Sequence, residues 1–292
     1  MSRGGNPAVD RLRANGYEPI MPAPGQQPTA DQLRAALQGA VGWVAGVERI
    51  DAEVLAAADA LRVISRNGTG SDGIDHVAAA SAGISVVTAR GANARGVAEL
   101  AIGLMVMCLR SVPVAMQSVA SGGWERTTGR EMQHRTLGIV GYGAIGREVG
   151  ALARSLGMHA MAHDPFVECA DGVILADLDT VLASSDVVSL HVPPTPGSPL
   201  IGARELGLFR AGAVLLNTAR ASLVDEGAAL AALNSGILAS YAVDAFEVEP
   251  PPMTELLRHP RVVATPHLGA ATIESIERAS NAAVDNLLAE LA

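Results

Sequence analysis

Short β-branched runs recur along the chain, each bounded by Gly, Pro or Asp and separated by stretches in which apolar residues return every three or four positions. That alternation predicts repeated βα units and a parallel sheet. The strands fall into two groups: residues 41–44, 62–65 and 85–87, then 137–140, 159–163, 187–192, 214–217, 241–243 and 262–264. Between the groups, residues 97–110 are apolar nearly all round, which predicts a helix buried on every side. Near the other end, Ile273, Ile276, Val284, Leu287, Leu288 and Leu291 recur at three- and four-residue steps and predict a long amphipathic helix. Residues 22–28 are of low complexity and read as a surface loop; no repeat of solenoid period occurs.

Composition narrows the function classes. A length of 292 residues allows two ordinary domains, and 49% hydrophobic with 17% charged residues is a globular composition. The formal charge of -9 repels polyanions, and 3% aromatic content gives no stacking surface, so neither nucleic acid nor an anionic membrane is an expected partner. Cys108 and Cys169 form no disulfide framework and no metal-ligand spacing, so no metal is expected and the compartment reads as reducing. The opening MSRGGNPAVD lacks a signal-peptide core, and the longest apolar run, residues 100–109 between Glu99 and Arg110, is about half a bilayer span. A cytoplasmic location is expected.

The sequence LGIVGYGAIGREV places Gly141, Gly143 and Gly146 directly after a predicted strand and at the start of a helix. Each glycine then has a reason: a tight turn, close approach of a pyrophosphate to the backbone, and helix-to-strand contact, with the helix N-terminus facing the phosphates. Asp164 ends the next strand, 18 residues beyond Gly146, where a carboxylate can accept from ribose hydroxyls. A glycine turn needed for packing alone would explain the glycines but not this acid. The pair predicts dinucleotide binding.

Three further segments, LLNTARASLVDEG, YAVDAFEVEPPP and ATPHLGAAT, resemble the signature regions of the D-isomer-specific 2-hydroxyacid dehydrogenases, in the phosphoglycerate dehydrogenase and hydroxypyruvate/glyoxylate reductase branch. The resemblance runs from about Arg62 to the end of the chain. It implies an α/β protein of two Rossmann-like doubly wound parallel-sheet domains: a discontinuous substrate domain, 1–94 and 268–292, and an NAD-binding domain, 95–267. It implies NAD as cofactor, a small 2-hydroxy or 2-oxo acid as substrate, and a homodimer. By the same resemblance Arg220 holds the substrate carboxylate and carbonyl, as a guanidinium fork suits. His267 is the acid/base, and Glu249 orients its ring and stabilises its protonated form. An Arg just past a strand's C-terminal end lies where open α/β sheets bind ligands, and His267 follows the last strand of the same sheet.

Other implied positions are Ala144 and Ile145 at the pyrophosphate, Val192 and Pro193 at the cofactor's middle, Thr218 and Ala219 at the nicotinamide ring, and Asp244 at its carboxamide. Asp244 reads equally as a strand-end cap. In SRNGTGSDGID, backbone N–H groups around Asn67 and Gly68 are implied to receive the substrate carboxylate, with Thr69 near the nicotinamide; as bare sequence the segment is a Gly-rich turn. Asn93 matches a hinge position. Trp124 either meets a second subunit or is a core Trp, with residues 111–130 long for a mere connection. Ala221 stands where a glycine is usual, Pro194 where leucine is common and Gly96 where a small hydroxyl residue is frequent, departures that bear on substrate preference. The nearest rivals are another acid of the same class and a non-catalytic NAD-sensing scaffold of the corepressor kind. Relatives open with a short aliphatic strand, whereas here MSRGGNP leads straight to a helix and a G-Y-E turn. Either the reading frame starts upstream and the first sheet is gapped or weakened, or the remaining strands close up.

Overall fold

A computed structural model describes residues 7–194 and 197–292. Residues 1–6, on which part of the N-terminal expectation rests, lie outside the described residues. The chain divides into two compact units, Met1–Asn93 with Ile273–Ala292, and Ala94–Thr272. The second boundary falls five residues later than the expected one because Leu268 and Gly269 are hydrogen-bonded to Asp244 and the following helix begins only at Ile273.

Among the described residues the first unit holds three parallel strands, β1 (Gly42–Ala45), β2 (Val63–Arg66) and β3 (Ser85–Thr88), in the order β1-β2-β3. Successive residues of β2 alternate in facing: Val63 packs with Ala8, Leu12, Val284 and Leu287, Ile64 with Leu33, Ile50 and Val54. Helices therefore cover both faces. The C-terminal helix, Ile273–Leu291, is pinned to the sheet by the buried Ser65 hydroxyl, which donates to the carbonyl of Ala283 at 2.7 Å. Its apolar face differs from the expected one: Ile273 and Ile276 are exposed, while Ala279, Ala283 and Ser275 are buried in their place. Among the described residues β1 pairs on one side only, with β2, and a groove of about 820 Å³ runs along its other side.

The second unit holds seven parallel strands: β4 (Thr136–Val140), β5 (His159–His163), β6 (Ile174–Leu175), β7 (Val187–Leu190), β8 (Ala213–Asn217), β9 (Leu238–Val243) and β10 (Val262–Ala264). Their order is β10-β9-β8-β7-β4-β5-β6. The chain starts at β4, moves outward to β5 and β6, then returns to β4's other edge at β7, which makes the β4/β7 boundary the topological switch point where such sheets bind ligands. β7 and β8 are buried at every residue, as near-continuous apolar runs covered on both faces should be.

The sequence reading missed β6, whose two residues carry no periodicity. The helix Ala94–Leu109 is also not buried all round. Arg95, Glu99, Gly103, Val106 and Arg110 form an exposed line at helical spacing, while Ala98, Ala101, Leu104 and Met105 face the sheet core. The apolar Gly103 and Val106 hide this outer face from a hydropathy reading. No single helix among the described residues is long and apolar enough to cross a membrane.

His191, just past β7, lies with Nε2 2.8 Å from the Ser189 hydroxyl, and burial pushes its pKa down to about 4. An imidazole in the unfolded chain titrates near ~6.5, so the unfolded state binds more protons as pH falls below that value and folding stability declines towards pH 4. At pH 5 this one group costs at most about 2 kcal/mol relative to neutral pH. Urea unfolding of the His191→Gln variant is expected to show a shallower loss between pH 7 and 5 than the parent; equal slopes would contradict the assignment.

Candidate active site

The glycine-rich turn joins β4 to the helix Ala144–Ser155. Gly141 sits at φ +94°, and a Cβ there would lie 2.6 Å from the carbonyl oxygen of His191. A Cβ on Gly146 would lie 2.1 Å from the carbonyl of Gly141, so this glycine is demanded by backbone packing. Gly143 differs from both. It caps the helix without a side-chain bond, and a Cβ on it would meet nothing within 4 Å. Its missing side chain leaves open space over the first turn, where Ala144 and Ile145 lead a helix whose opening N–H groups have no intrahelical acceptor.

Asp164 follows β5 and is drawn to the same turn. Its Oδ2 accepts from the amide of Tyr142 at 2.8 Å and its Oδ1 from that of Phe166 at 2.9 Å. The carboxylate therefore stands beside the glycine turn in a fixed orientation. Val192 and Pro193 follow His191, whose amide donates to the carbonyl of Val140 at 2.7 Å, which brings that segment against the end of β4.

A second set of groups gathers past β8, β9 and β10, which are adjacent in the sheet. Asn217, fully buried at the end of β8, donates from Nδ2 to the carbonyl of Arg220 at 2.7 Å and accepts at Oδ1 from the amide of Ala219 at 3.1 Å. One buried amide thus closes the N-T-A-R turn. Thr218 Oγ1 is the buried side-chain polar atom left without a hydrogen-bond partner among the described residues, and the Arg220 guanidinium donates to the carbonyl of Ala219 at 2.6 Å. The amide of Ala221 donates to the carbonyl of Ala245 at 2.9 Å and that of Ser222 to Glu247 at 2.7 Å, which ties the Arg220 turn to the loop after β9.

That loop carries Glu249. Its Oε1 lies 2.8 Å from Nδ1 of His267 and accepts from the amide of Phe246 at 3.1 Å. His267 adopts φ +53°, uncommon for a residue with a side chain, and its amide donates to the carbonyl of Asp244 at 2.8 Å. Both side chains are partly exposed, 44% for His267 and 42% for Glu249, so the pair faces outward from a fixed backbone. Asp244 accepts from the Thr265 hydroxyl at 2.6 Å and from the amides of Leu268 at 2.8 Å and Gly269 at 2.9 Å. Arg220, Glu249 and His267 thus share one end of one sheet. Asn217 and Thr265 are positioning residues that the sequence reading did not single out; a polar residue at the buried end of an apolar strand run was the available signal.

In the first unit, Thr69 Oγ1 donates to Asn93 Oδ1 at 2.9 Å. The Asn67 N–H donates to the carbonyl of Ala45 at 2.8 Å, which continues the β1–β2 ladder, and the Gly68 N–H donates to that of Arg66 at 2.9 Å within the loop. Trp124 is 80% exposed and is no core residue.

These residues fit a dinucleotide. The open space at Gly143, the helix N-terminus, the fixed Asp164 carboxylate and the orphaned Thr218 hydroxyl together supply a phosphate seat, a ribose acceptor and an unmet polar atom by the N-T-A-R turn. Comparison with known proteins agrees. Residues 102–269 match the model for the NAD-binding domain of D-isomer-specific 2-hydroxyacid dehydrogenases. The chain is 41% identical over 276 residues to a D-3-phosphoglycerate dehydrogenase of Archaeoglobus fulgidus, covering 92% of this chain and 52% of that one, so it spans about half the length of that relative. It is 39% identical over 255 residues to a hydroxypyruvate reductase of Thermotoga maritima, covering 85% of this chain and 83% of the other. Among solved structures, the TT0316 protein of Thermus thermophilus superposes with a TM-score of 0.88 at 36% identity, covering 98% of this chain and 93% of that one. The chain therefore belongs to the D-isomer-specific 2-hydroxyacid dehydrogenase family and carries that family's NAD-binding domain.

Proposed function

We propose that this protein interconverts a D-2-hydroxy acid and its 2-oxo acid with NAD(H), on substrates of the phosphoglycerate or hydroxypyruvate/glyoxylate type. The observation that carries the reading is the His267–Glu249 pair, 2.8 Å apart, at the same sheet end as the Arg220 turn. Bound nicotinamide supplies or accepts the hydride at C2 of the acid. His267 turns Nδ1 to Glu249, which leaves Nε2 to give a proton to the carbonyl oxygen in reduction and to take it from the hydroxyl in oxidation. Glu249 fixes the orientation of the ring. Arg220 receives the substrate carboxylate, since a guanidinium presents five donors in a planar fork. Relatives named for 3-phosphoglycerate and for hydroxypyruvate support the acid class.

The same reading makes the active unit a cytoplasmic homodimer. The helix Val112–Ala120 buries none of its residues, and Val106, Met116, Val119 and Trp124 are 39%, 64%, 56% and 80% exposed, a larger apolar face than a solitary unit ordinarily leaves bare. Cys108 and Cys169 are unbridged, as in a reducing compartment.

A panel of 2-oxo acids with NADH, read by absorbance, tests the activity and separates it from a scaffold that binds the cofactor without turnover. His267→Ala is expected to lower kcat about a hundred- to ten-thousand-fold with NADH affinity nearly unchanged, and Glu249→Gln to lower it less. A near-parental rate for His267→Ala with the best substrate would remove the acid/base assignment. NADH is expected to exceed NADPH at least ~100-fold in kcat/KM, because a 2′-phosphate beside Asp164 meets a like charge worth up to ~4 kcal/mol at 4 Å before screening. Asp164→Ala should narrow that gap, and comparable rates with both cofactors in the parent would contradict it. Met116→Asp with Trp124→Ser is expected to convert a dimer seen by light scattering into a monomer; a monomeric, fully active parent would refute the dimer.

A further inference from the structure

Arg220 stands at a backbone position to which its side chain is chemically unsuited. It is the N-cap of the 3-10 turn Ala221–Leu223, with extended torsions of φ -149° and ψ 137°, and its side chain makes no capping hydrogen bond. The first amides of such a turn have no acceptor inside it, and an N-cap side chain ordinarily supplies one, which is why Ser, Thr, Asp and Asn are favoured there. A guanidinium carries donors and no acceptor, so it cannot cap. The acceptors come from elsewhere. The carbonyl of Ala245 takes the amide of Ala221 at 2.9 Å, Glu247 Oε1 takes that of Ser222 at 2.7 Å, and the amide of Leu223 turns back to the carbonyl of Arg220 at 3.1 Å. Of these three acceptors Glu247 is the one that belongs to a side chain. It reaches the turn from 25 residues beyond Ser222, on the short loop that also carries Glu249.

We infer that Glu247 is a positioning residue for Arg220: it supplies the cap that the arginine cannot, and so holds the turn in the conformation from which the guanidinium receives the substrate carboxylate. This inference rests on the function proposed above. An N-cap with an oxygen of its own would close the turn but could not bind a carboxylate; with Glu247 closing it, the cap position is open to an arginine. One loop then serves both halves of the chemistry, Glu247 holding the Arg220 turn and Glu249 holding the ring of His267. A role for Glu247 as a bare negative charge makes the opposite prediction. A carboxylate near an anionic substrate repels it, so its removal would then lower KM for the acid.

The test is steady-state kinetics of the full chain, with NADH saturating and the best 2-oxo acid varied. Glu247→Ala is expected to raise KM for the acid about five- to tenfold, as the loss of one net hydrogen bond would, with kcat within about twofold of the parent. The pH profile of kcat should keep its parental midpoint, because the bond between His267 and Glu249 is untouched. Glu247→Gln, whose amide oxygen can still accept from Ser222, is expected to bring KM back to within about twofold of the parent. In the Arg220→Ala background Glu247→Ala should change KM by less than about twofold, since the two residues act through one group. A parental or lowered KM for Glu247→Ala, where Arg220→Ala raises it, would overturn this inference alone, as would a KM for Glu247→Gln as high as that for Glu247→Ala. A parental KM for Arg220→Ala would overturn the reading of Arg220 and this inference with it.

Discussion

At the C-terminal end of β9 the Asp244 carboxylate, 1% exposed, accepts from the hydroxyl of Thr265 and from the amides of Leu268 and Gly269, while its backbone carbonyl accepts from His267. Bonds to an ionised acceptor are worth more than neutral ones, about 1.5–3 kcal/mol each, and a buried carboxylate without them would be costly. The loop after β10 therefore cannot relax without uncovering that charge. His267 is held in a left-handed backbone conformation that it would not choose alone, and its ring is delivered to Glu249. A Cβ on Gly269 would lie 3.2 Å from both Asp244 Oδ2 and Val97 Cγ2, so the loop also needs a small residue where it turns.

Sheet polarity multiplies this local constraint. Because all seven described strands of the second unit are parallel, every loop that follows a strand emerges at one edge, and the His267–Glu249 pair, the Arg220 turn and the glycine turn share it. The two halves are built by different physics. Around Gly141 and Gly146 the determinant is steric, since any side chain would collide with backbone; around Asn217 and Asp244 it is the satisfaction of buried polar atoms. Rigid positioning by buried groups lets exposed ones, such as His267 and Glu249, keep access to small molecules.

Much of this was legible in the sequence. Short runs bounded by Gly, Pro or Asp marked nine of the ten described strands, clearest where strands buried on both faces are apolar throughout, as in β7 and β8, and His159–His163 and Val262–Ala264 match their predicted limits. The glycine spacing and Asp164 were legible because their constraints are local to one βαβ unit. What escaped was long-range or context-dependent. The exposure of Ile273 and Ile276 depends on where the last helix leaves the sheet, and the exposed line along Ala94–Leu109 is masked by Gly103 and Val106. Asn217 and Thr265 act through atoms distant in sequence and acquire meaning once β8, β9 and β10 lie side by side.

The central claim is that the buried carboxylate of Asp244 serves the chemistry by placing His267. A double-mutant cycle on kcat/KM tests it most directly, with Asp244→Asn chosen to keep the side-chain volume. In the parent, Asp244→Asn is expected to cost roughly ten- to a hundredfold; in the His267→Ala background it should cost less than about threefold, because neighbours acting through one group are not additive. Equal losses in the two backgrounds would show that Asp244 acts independently of His267 and would contradict the account.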